Sequence, residues 1–280
     1  MSKKKIIDFF KINIEHQNYK IISLKELNFG KFTITAINNF SKIKYFYKIS
    51  FKNQYSTKLL INETKIYKNT NILNGSNNFI TPKLFNYGYK EKVFYLKLQF
   101  INGGKSNYFQ FKKISFNSHF KSKTMDLNDY LYRKILILFP GENKILNDFR
   151  SHKNLQLDFS HGDYASWNTI IFNKKKYIID FEQAGYKSIN YDTLHWFIAP
   201  IMIRISKIPF NGLKKLIFLA LKFFPLNRLS KINYFYNFRI DLKIFLIEKI
   251  FDLKKEIVYS YDKKDISKLI STYNQFILIL

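Results

Sequence analysis

The sequence predicts an α+β chain in two lobes. Residues 1–102 read as a small, mostly antiparallel β lobe with one helix, and residues 103–280 as a larger, mostly α lobe with an embedded β-hairpin. Three features support this. Between Lys31 and Phe51, β-branched and aromatic residues recur at the period of half-buried strands. After the Gly103-Gly104 break, apolar residues take mostly helical spacing through to Leu280. Within that helical half, "TIIF" (169–172) and "YIID" (177–180) flank a tight polar turn, "NKKK".

Taken in order, "KFTITAINNF" (Lys31 to Phe40) and "KIKYFYKISF" (Lys42 to Phe51) form a hairpin through "NNFSK". "STKLLINETKIYKNTNIL" is a helix, with Ser56 and Thr57 as candidate caps and Leu59, Leu60, Thr64 and Ile66 on one face. "FITPKLFNYGYKEKVFYLKLQFINGG" gives a turn at Pro82 and a strand around Phe94 to Phe100, and then the glycine break. "MDLNDYLYRKILILF" and "GENKILNDF" suit helices. No internal repeat or Pro/Ser-rich linker interrupts the chain, so an ordinary loop must join the lobes.

A chain of 280 residues, 46% apolar, can bury a core large enough for two lobes. With no cysteine it has neither disulfides nor thiolate metal sites, and a cytoplasmic location is expected. The basic start "MSKKKIIDFF" is broken by Asp8 and Lys11, unlike a signal peptide. The most apolar stretch, "LIFLALKFFPL", is interrupted by Lys222 and Pro225 and is far shorter than the roughly 20 residues of a membrane span. A formal charge of +27 suggests a polyanion partner. However, only five of 47 basic residues are Arg, the residue that reads bases bidentately. Lys, Asn, Ile, Phe and Tyr are all abundant together, as A/T-rich codons dictate, so no specific nucleic-acid partner is expected. The basic amphipathic stretch from Arg204 to Arg239 is a candidate for peripheral contact with an anionic membrane, with a solvated helix face as the plainer account.

Chemistry concentrates in "HGDYASWNTIIFNKKKYIIDFE" (His161 to Glu182). Folding the hairpin returns Asp180 towards Asn168 and Asp163. Oxygen donors of this kind suit a hard divalent cation such as Mg²⁺, which leaves positions for water and nucleotide phosphates. Phosphoryl transfer needs such a metal and a second carboxylate that takes the attacking hydroxyl's proton. Asn168 and Asp180 are therefore the candidate metal ligands and Asp163 the candidate base. Glu182 could reach metal or substrate, or simply order the loop, and Trp167 reads as core.

These residues resemble the aminoglycoside phosphotransferase and choline kinase superfamily. His161, Asp163 and Asn168 fit its H-x-D-x-x-x-x-N loop, "IIDFE" is similar to its metal segment, and "NYDTLHWF" to the continuation. "SHGDYASWN" looks most like members found with bacterial surface-polysaccharide genes, with Ser166 where proline is usual. The resemblance implies the bilobal protein-kinase-like fold and dependence on ATP and Mg²⁺. It makes His161 a brace of the catalytic loop and Asp192 an acceptor for that loop's backbone. It also places Lys48 at the α- and β-phosphates, with Glu63, fifteen residues on, as its ion-pair partner. The backbone from Gln99 to Ile101 would meet the adenine edge. The glycine-rich phosphate loop departs from the pattern: "LNFGKF" offers only Gly30. Only eleven residues, 181 to 191, separate Asp180 from Asp192, too few for a peptide-binding activation segment, so a small-molecule acceptor is implied. A sugar or lipid-linked saccharide agrees with the polysaccharide-type loop. Alternatives are a choline, ethanolamine or aminoglycoside kinase, or a non-catalytic scaffold.

Overall fold

The computed structural model describes residues 3–15, 18–27, 30–51, 54–69, 79–114, 116, 120–140, 145, 147–149, 152–209, 211–223, 238–260 and 262–280. Most of "GENKI", the tail of "KNTNIL" and residues 224–237 of the basic stretch lie outside these. In chain order the elements begin with helix α1 (Lys3–Phe9), continued by a π-helical turn (Phe10–Ile14), then strands β1 (Tyr19–Leu27), β2 (Lys31–Asn38) and β3 (Lys44–Phe51). Helix α2 (Gln54–Lys68) precedes β4 (Phe79–Ile80), β5 (Leu84–Lys90), β6 (Val93–Gln99), β7 (Gly104–Lys105) and β8 (Lys123–Asp126). Helix α3 (Leu127–Leu138) is followed by β9 (Asn154–Ser160), β10 (Thr169–Phe172), β11 (Lys175–Ile178) and β12 (Gly185–Ser188). The chain ends in α4 (Tyr191–Ile205), α5 (Gly212–Phe223), α6 (Phe238–Tyr259) and α7 (Lys263–Ile279). It divides into two compact units, residues 1–105 with 168–183 and residues 106–167 with 184–280. The β10–β11 hairpin thus clusters with the first unit.

The first unit is built on a five-stranded antiparallel sheet in the order β1-β2-β3-β6-β5. Strand β2 alternates. Phe32, Ile34 and Ala36 enter a core with Tyr47, Ile49, Val93 and Tyr95, closed by Ile6 of α1 and Phe10. The intervening Lys31, Thr33 and Thr35 turn to the other face, as period-two geometry requires. Pairing of Thr33 with Lys48 sets that lysine on the same face. Helix α2 begins before Ser56, so Ser56 and Thr57 do not cap it. Their hydroxyls instead meet Ser50 Oγ of β3 at 2.5 and 3.1 Å and tie the helix to the sheet.

Strands β10 and β11 pair from Thr169↔Ile178 to Phe172↔Lys175, leaving Asn173-Lys174 as a two-residue turn with φ of 49° and 61°. Positive φ at both positions is the type I′ geometry that suits the twist of a hairpin. Strand β7 pairs with the outer side of β10. A Cβ on Gly103 would lie 2.3 Å from the carbonyl oxygen of Ile171, so only glycine fits that approach.

The second unit has a three-stranded sheet, β12-β9-β8, and five helices among its described residues. Asp126 caps α3, accepting from the N–H groups of Asn128 and Asp129 at 2.8 and 3.2 Å. Helix α6 is its centre, buried on every side from Ile240 to Ile250. Its buried charges are matched: Lys243 meets Asp148 at 2.5 Å, and Glu248 accepts from Tyr130 and Ser188. Among the described residues no helix is long and apolar enough to cross a membrane.

Candidate active site

On the polar face of the first unit's sheet lies a pocket of about 430 Å³. Strands β2 and β3 contribute Lys31, Thr33, Thr35, Phe46 and Lys48, while Leu98, Gln99 and Ile101 line another wall. The segment around the β10–β11 hairpin adds Asn168, Asp180 and Glu182. Within it, Lys48 Nζ lies 2.9 and 2.8 Å from the two carboxylate oxygens of Glu63 and 2.5 Å from Asp180 Oδ1. Lys31 Nζ grips Glu182 in the same two-pronged way, at 2.7 and 2.5 Å.

Burial alone would push the Lys48 ammonium down, but Asp180, Glu63 and Glu182 outweigh it and hold the group well above its usual value. Burial drives Glu63 up to about 7; Lys48 opposes this, and Asp180 and Glu182 reinforce it. Glu182 is likewise raised by burial and Asp180, against the pull of Lys31 and Lys48. Carboxylate oxygens of Glu63, Asp180 and Glu182 lie within 4.8 Å of one another. Asp180 is the most open of the three, its side chain 32% exposed against 0% and 13% for Glu63 and Glu182. It is therefore the acid able to reach a bound cation, and with the Asn168 carboxamide it supplies the oxygen donors that Mg²⁺ prefers.

Asp180 is held by the strain of its own backbone, at φ 71°, and by donation of its N–H to Tyr67 OH at 3.2 Å. Phe181 packs edge-on against Tyr67, with ring centroids 5.6 Å apart. Asn168 accepts the N–H of Ile179 through its backbone oxygen at 3.0 Å, which fixes the start of the hairpin beside its end. Gly30, at φ 67°, sits in the turn joining the Leu27↔Lys31 pair, and both of those residues line the pocket. Asn28 and Phe29 lie outside the described residues.

The second unit holds the loop from His161. Asp192, at the start of α4, accepts from the N–H of His161 at 2.7 Å and that of Gly162 at 3.1 Å. Gly162 has φ 83°, a conformation glycine adopts freely. His161 is fully buried, and its Nδ1 accepts the N–H of Asp163 at 3.2 Å. Asp163 Oδ1 then lies 3.2 Å from His195 Nε2 and 3.6 Å from Lys249 Nζ. His195 Nδ1 is 3.0 Å from the carbonyl oxygen of Tyr164, so the imidazole is clamped at both ends. Burial pushes the Asp163 carboxyl up, but Lys249, His195 and His161 prevail and hold it well below the usual carboxylate range. Trp167 is half-buried rather than core, its ring 6.4 Å from that of His195.

The residues singled out from sequence thus fall into two groups. Lys48, Glu63, Asn168, Asp180, Gln99 and Ile101 belong to the first unit's pocket and its ion pairs, while His161, Asp163 and Asp192 belong to the second unit's loop. Sequence reading missed Lys31, Tyr67, His195 and Lys249. Lys31 had a signal: it leads the polar stripe Lys31, Thr33, Thr35 that alternates with core residues.

No protein-family model matches this chain, and no curated protein does. Among solved structures, amicoumacin kinase hAmiN, determined in complex with AMP-PNP, Ca2+ and Ami, is similar over 100% of this chain and 94% of its own, with TM-score 0.50 and 9% identity. At that identity the likeness speaks for the fold: an antiparallel-sheet amino-terminal region and a helical carboxy-terminal region in the kinase-like manner.

Proposed function

We propose that this chain is an ATP- and Mg²⁺-dependent phosphotransferase that moves the γ-phosphate of ATP to a hydroxyl of a small molecule. The observation that carries this is the buried ammonium of Lys48, held between Glu63 and Asp180 on the floor of a 430 Å³ pocket. A lysine fixed by a fully buried carboxylate is a rigid point charge, suited to a phosphate chain. Lys31 and Lys105 line the same pocket and add positive charge. The apolar wall of Phe46, Leu98 and Ile101 suits a planar base. Gln99 donates its N–H to the Lys83 carbonyl at 2.8 Å, which leaves the following backbone through Ile101 for the adenine edge.

Asp180 and Asn168 would hold the divalent cation, which when bound neutralises charge on the phosphate oxygens. Asp163 would accept the hydroxyl proton as the acceptor oxygen bonds to phosphorus and ADP departs. The solved neighbour's AMP-PNP and Ca2+ agree with nucleotide and divalent-metal use. A sugar or lipid-linked saccharide is the acceptor favoured by the form of the His161–Asn168 loop. Binding of ATP should require Mg²⁺, and Asp180→Asn should abolish that requirement. Titration of a fluorescent ATP analogue with and without Mg²⁺ tests this, and unchanged metal dependence in the variant would remove the assignment.

A further inference from the structure

We propose that the acceptor carries an anionic group, a carboxylate or a phosphate, beside the hydroxyl that is phosphorylated, and that Lys249 and Tyr273 receive it. This rests on Asp163 being the base. Lys249 reaches from α6 with its side chain only 7% exposed, and its ammonium stands 3.6 Å from Asp163 Oδ1. That is longer than a hydrogen bond, and among the described residues it is the only ion pair of this ammonium. Tyr273, on α7, is fully buried, and its hydroxyl has no hydrogen-bond partner among the described residues. The charge of Asp163 acts on that hydroxyl too. A ligand oxygen would satisfy the Tyr273 hydroxyl, and the Lys249 ammonium, held no closer than 3.6 Å by Asp163, has donors left for an anion.

The neighbouring acids are already engaged. Glu248 accepts from Tyr130 and Ser188, Asp252 is paired with Lys187, and Asp192 holds the loop backbone. With His195 Nε2 and Lys249 Nζ both against Asp163 Oδ1, an acceptor hydroxyl that reaches this carboxylate arrives among donors and positive charge. An amino sugar or choline would bring its own cation against Lys249, while the carboxylates described around it, Asp163 included, already have partners. A hydroxyl compound bearing an anion meets complementary charge instead.

The chain's two tryptophans report on this region: Trp167 lies 6.4 Å from His195, and Trp196 lies 4.8 Å from Tyr164, between ring centroids. Their fluorescence is titrated in the full chain with gluconate and with glucose 6-phosphate, using glucose and choline as neutral and cationic probes. At least one anion should change the emission saturably, the stronger identifying the group as carboxylate or phosphate, and choline should not. Lys249→Gln should weaken anion binding about tenfold or more, the scale of a lost charged hydrogen bond, and Lys249→Arg should restore it. Tyr273→Phe should weaken binding without lowering the melting temperature, which a purely structural hydroxyl would not do. The inference is overturned if choline binds in place of the anions, if no anion binds, or if Lys249→Gln binds as the wild type does. Mg²⁺-ATP binding, followed in the same samples, separates the two ideas. Its loss with the anion response intact sinks the phosphotransferase reading and leaves Lys249 as an anion site only, whereas loss of the anion response with Mg²⁺-ATP binding intact sinks this inference alone.

Discussion

Lys48→Met tests the ionic floor of the pocket. In the wild type, Glu63 is fully buried with its carboxyl pushed up to about 7, against an ordinary 4.5. Because the folded state holds that proton more tightly, its contribution to stability is complete below 4.5 and is lost as pH rises through 7. At ~1.36 kcal/mol per pH unit the loss amounts to about 3 kcal/mol. Removing Lys48 deletes the one attraction opposing burial, so Glu63 rises further and the loss continues above neutrality. Stranding one partner of a buried pair costs about 3–5 kcal/mol. The variant should therefore lie that far below the wild type at about pH 9 and much closer to it at about pH 5, where Glu63 is protonated in both. Adding Glu63→Gln should recover most of the deficit, because no charge is then left stranded beneath the pocket. Urea unfolding followed by circular dichroism at the two pH values measures each difference. If Lys48→Met shows the wild-type pH dependence, or the double variant is no more stable than the single one at high pH, the buried-pair account fails.

Three further outcomes follow from the geometry. Asp192→Ala leaves the N–H groups of His161 and Gly162 without their acceptor, and should cost about 2–4 kcal/mol in urea unfolding while abolishing turnover. Gly103→Ala drives a Cβ to 2.3 Å from the Ile171 carbonyl, a backbone atom that cannot yield. It should lower stability by about 1–3 kcal/mol and weaken ATP binding, because β7 carries the pocket residue Lys105. Asp163 is held far below the carboxylate range by Lys249, His195 and His161 against the effect of burial, so it stays ionised well into acid solution. If Asp163 is the base proposed above, the profile of kcat/KM should show no acid limb from it above about pH 5. Lys249→Gln should bring such a limb into view by letting Asp163 rise.

The hairpin was legible because its signal is local: alternating residues on either side of Asn173-Lys174 fix both the turn and the register that returns Asp180 to Asn168. Lys48 and Glu63 were legible only through the family resemblance, which expects a lysine on a strand and a glutamate on the next helix; the structure pairs them fifteen residues apart. Lys31 and Glu182 are separated by 151 residues, and only the alignment of β2 with the segment after β11 joins them. Ser56 and Thr57 read as caps because local sequence carries no word of the Ser50 hydroxyl that claims them.

The abundance of lysine hid the rest. With 47 basic residues in the chain, Lys249 carries no mark in the sequence that sets it apart, and Lys31 only its place in the alternating stripe of β2; burial marks both, and four of the five buried lysines among the described residues are explained by an acid, while Lys214 meets the Thr272 hydroxyl at 3.0 Å. Lys31 is bound to Glu182, Lys48 to Glu63 and Asp180, Lys243 to Asp148 and Lys249 to Asp163. Taking an ammonium out of water is costly, and an acid is the partner that offsets it most fully. The chain's 20 acids are therefore the scarcer and more informative half of its charge. Reading from the acids led directly to Asp163 and Asp180, and the family resemblance added Glu63. Apart from Lys48, which the resemblance marked, the lysines that serve the acids could be found only once the fold had chosen which few, of so many, to bury.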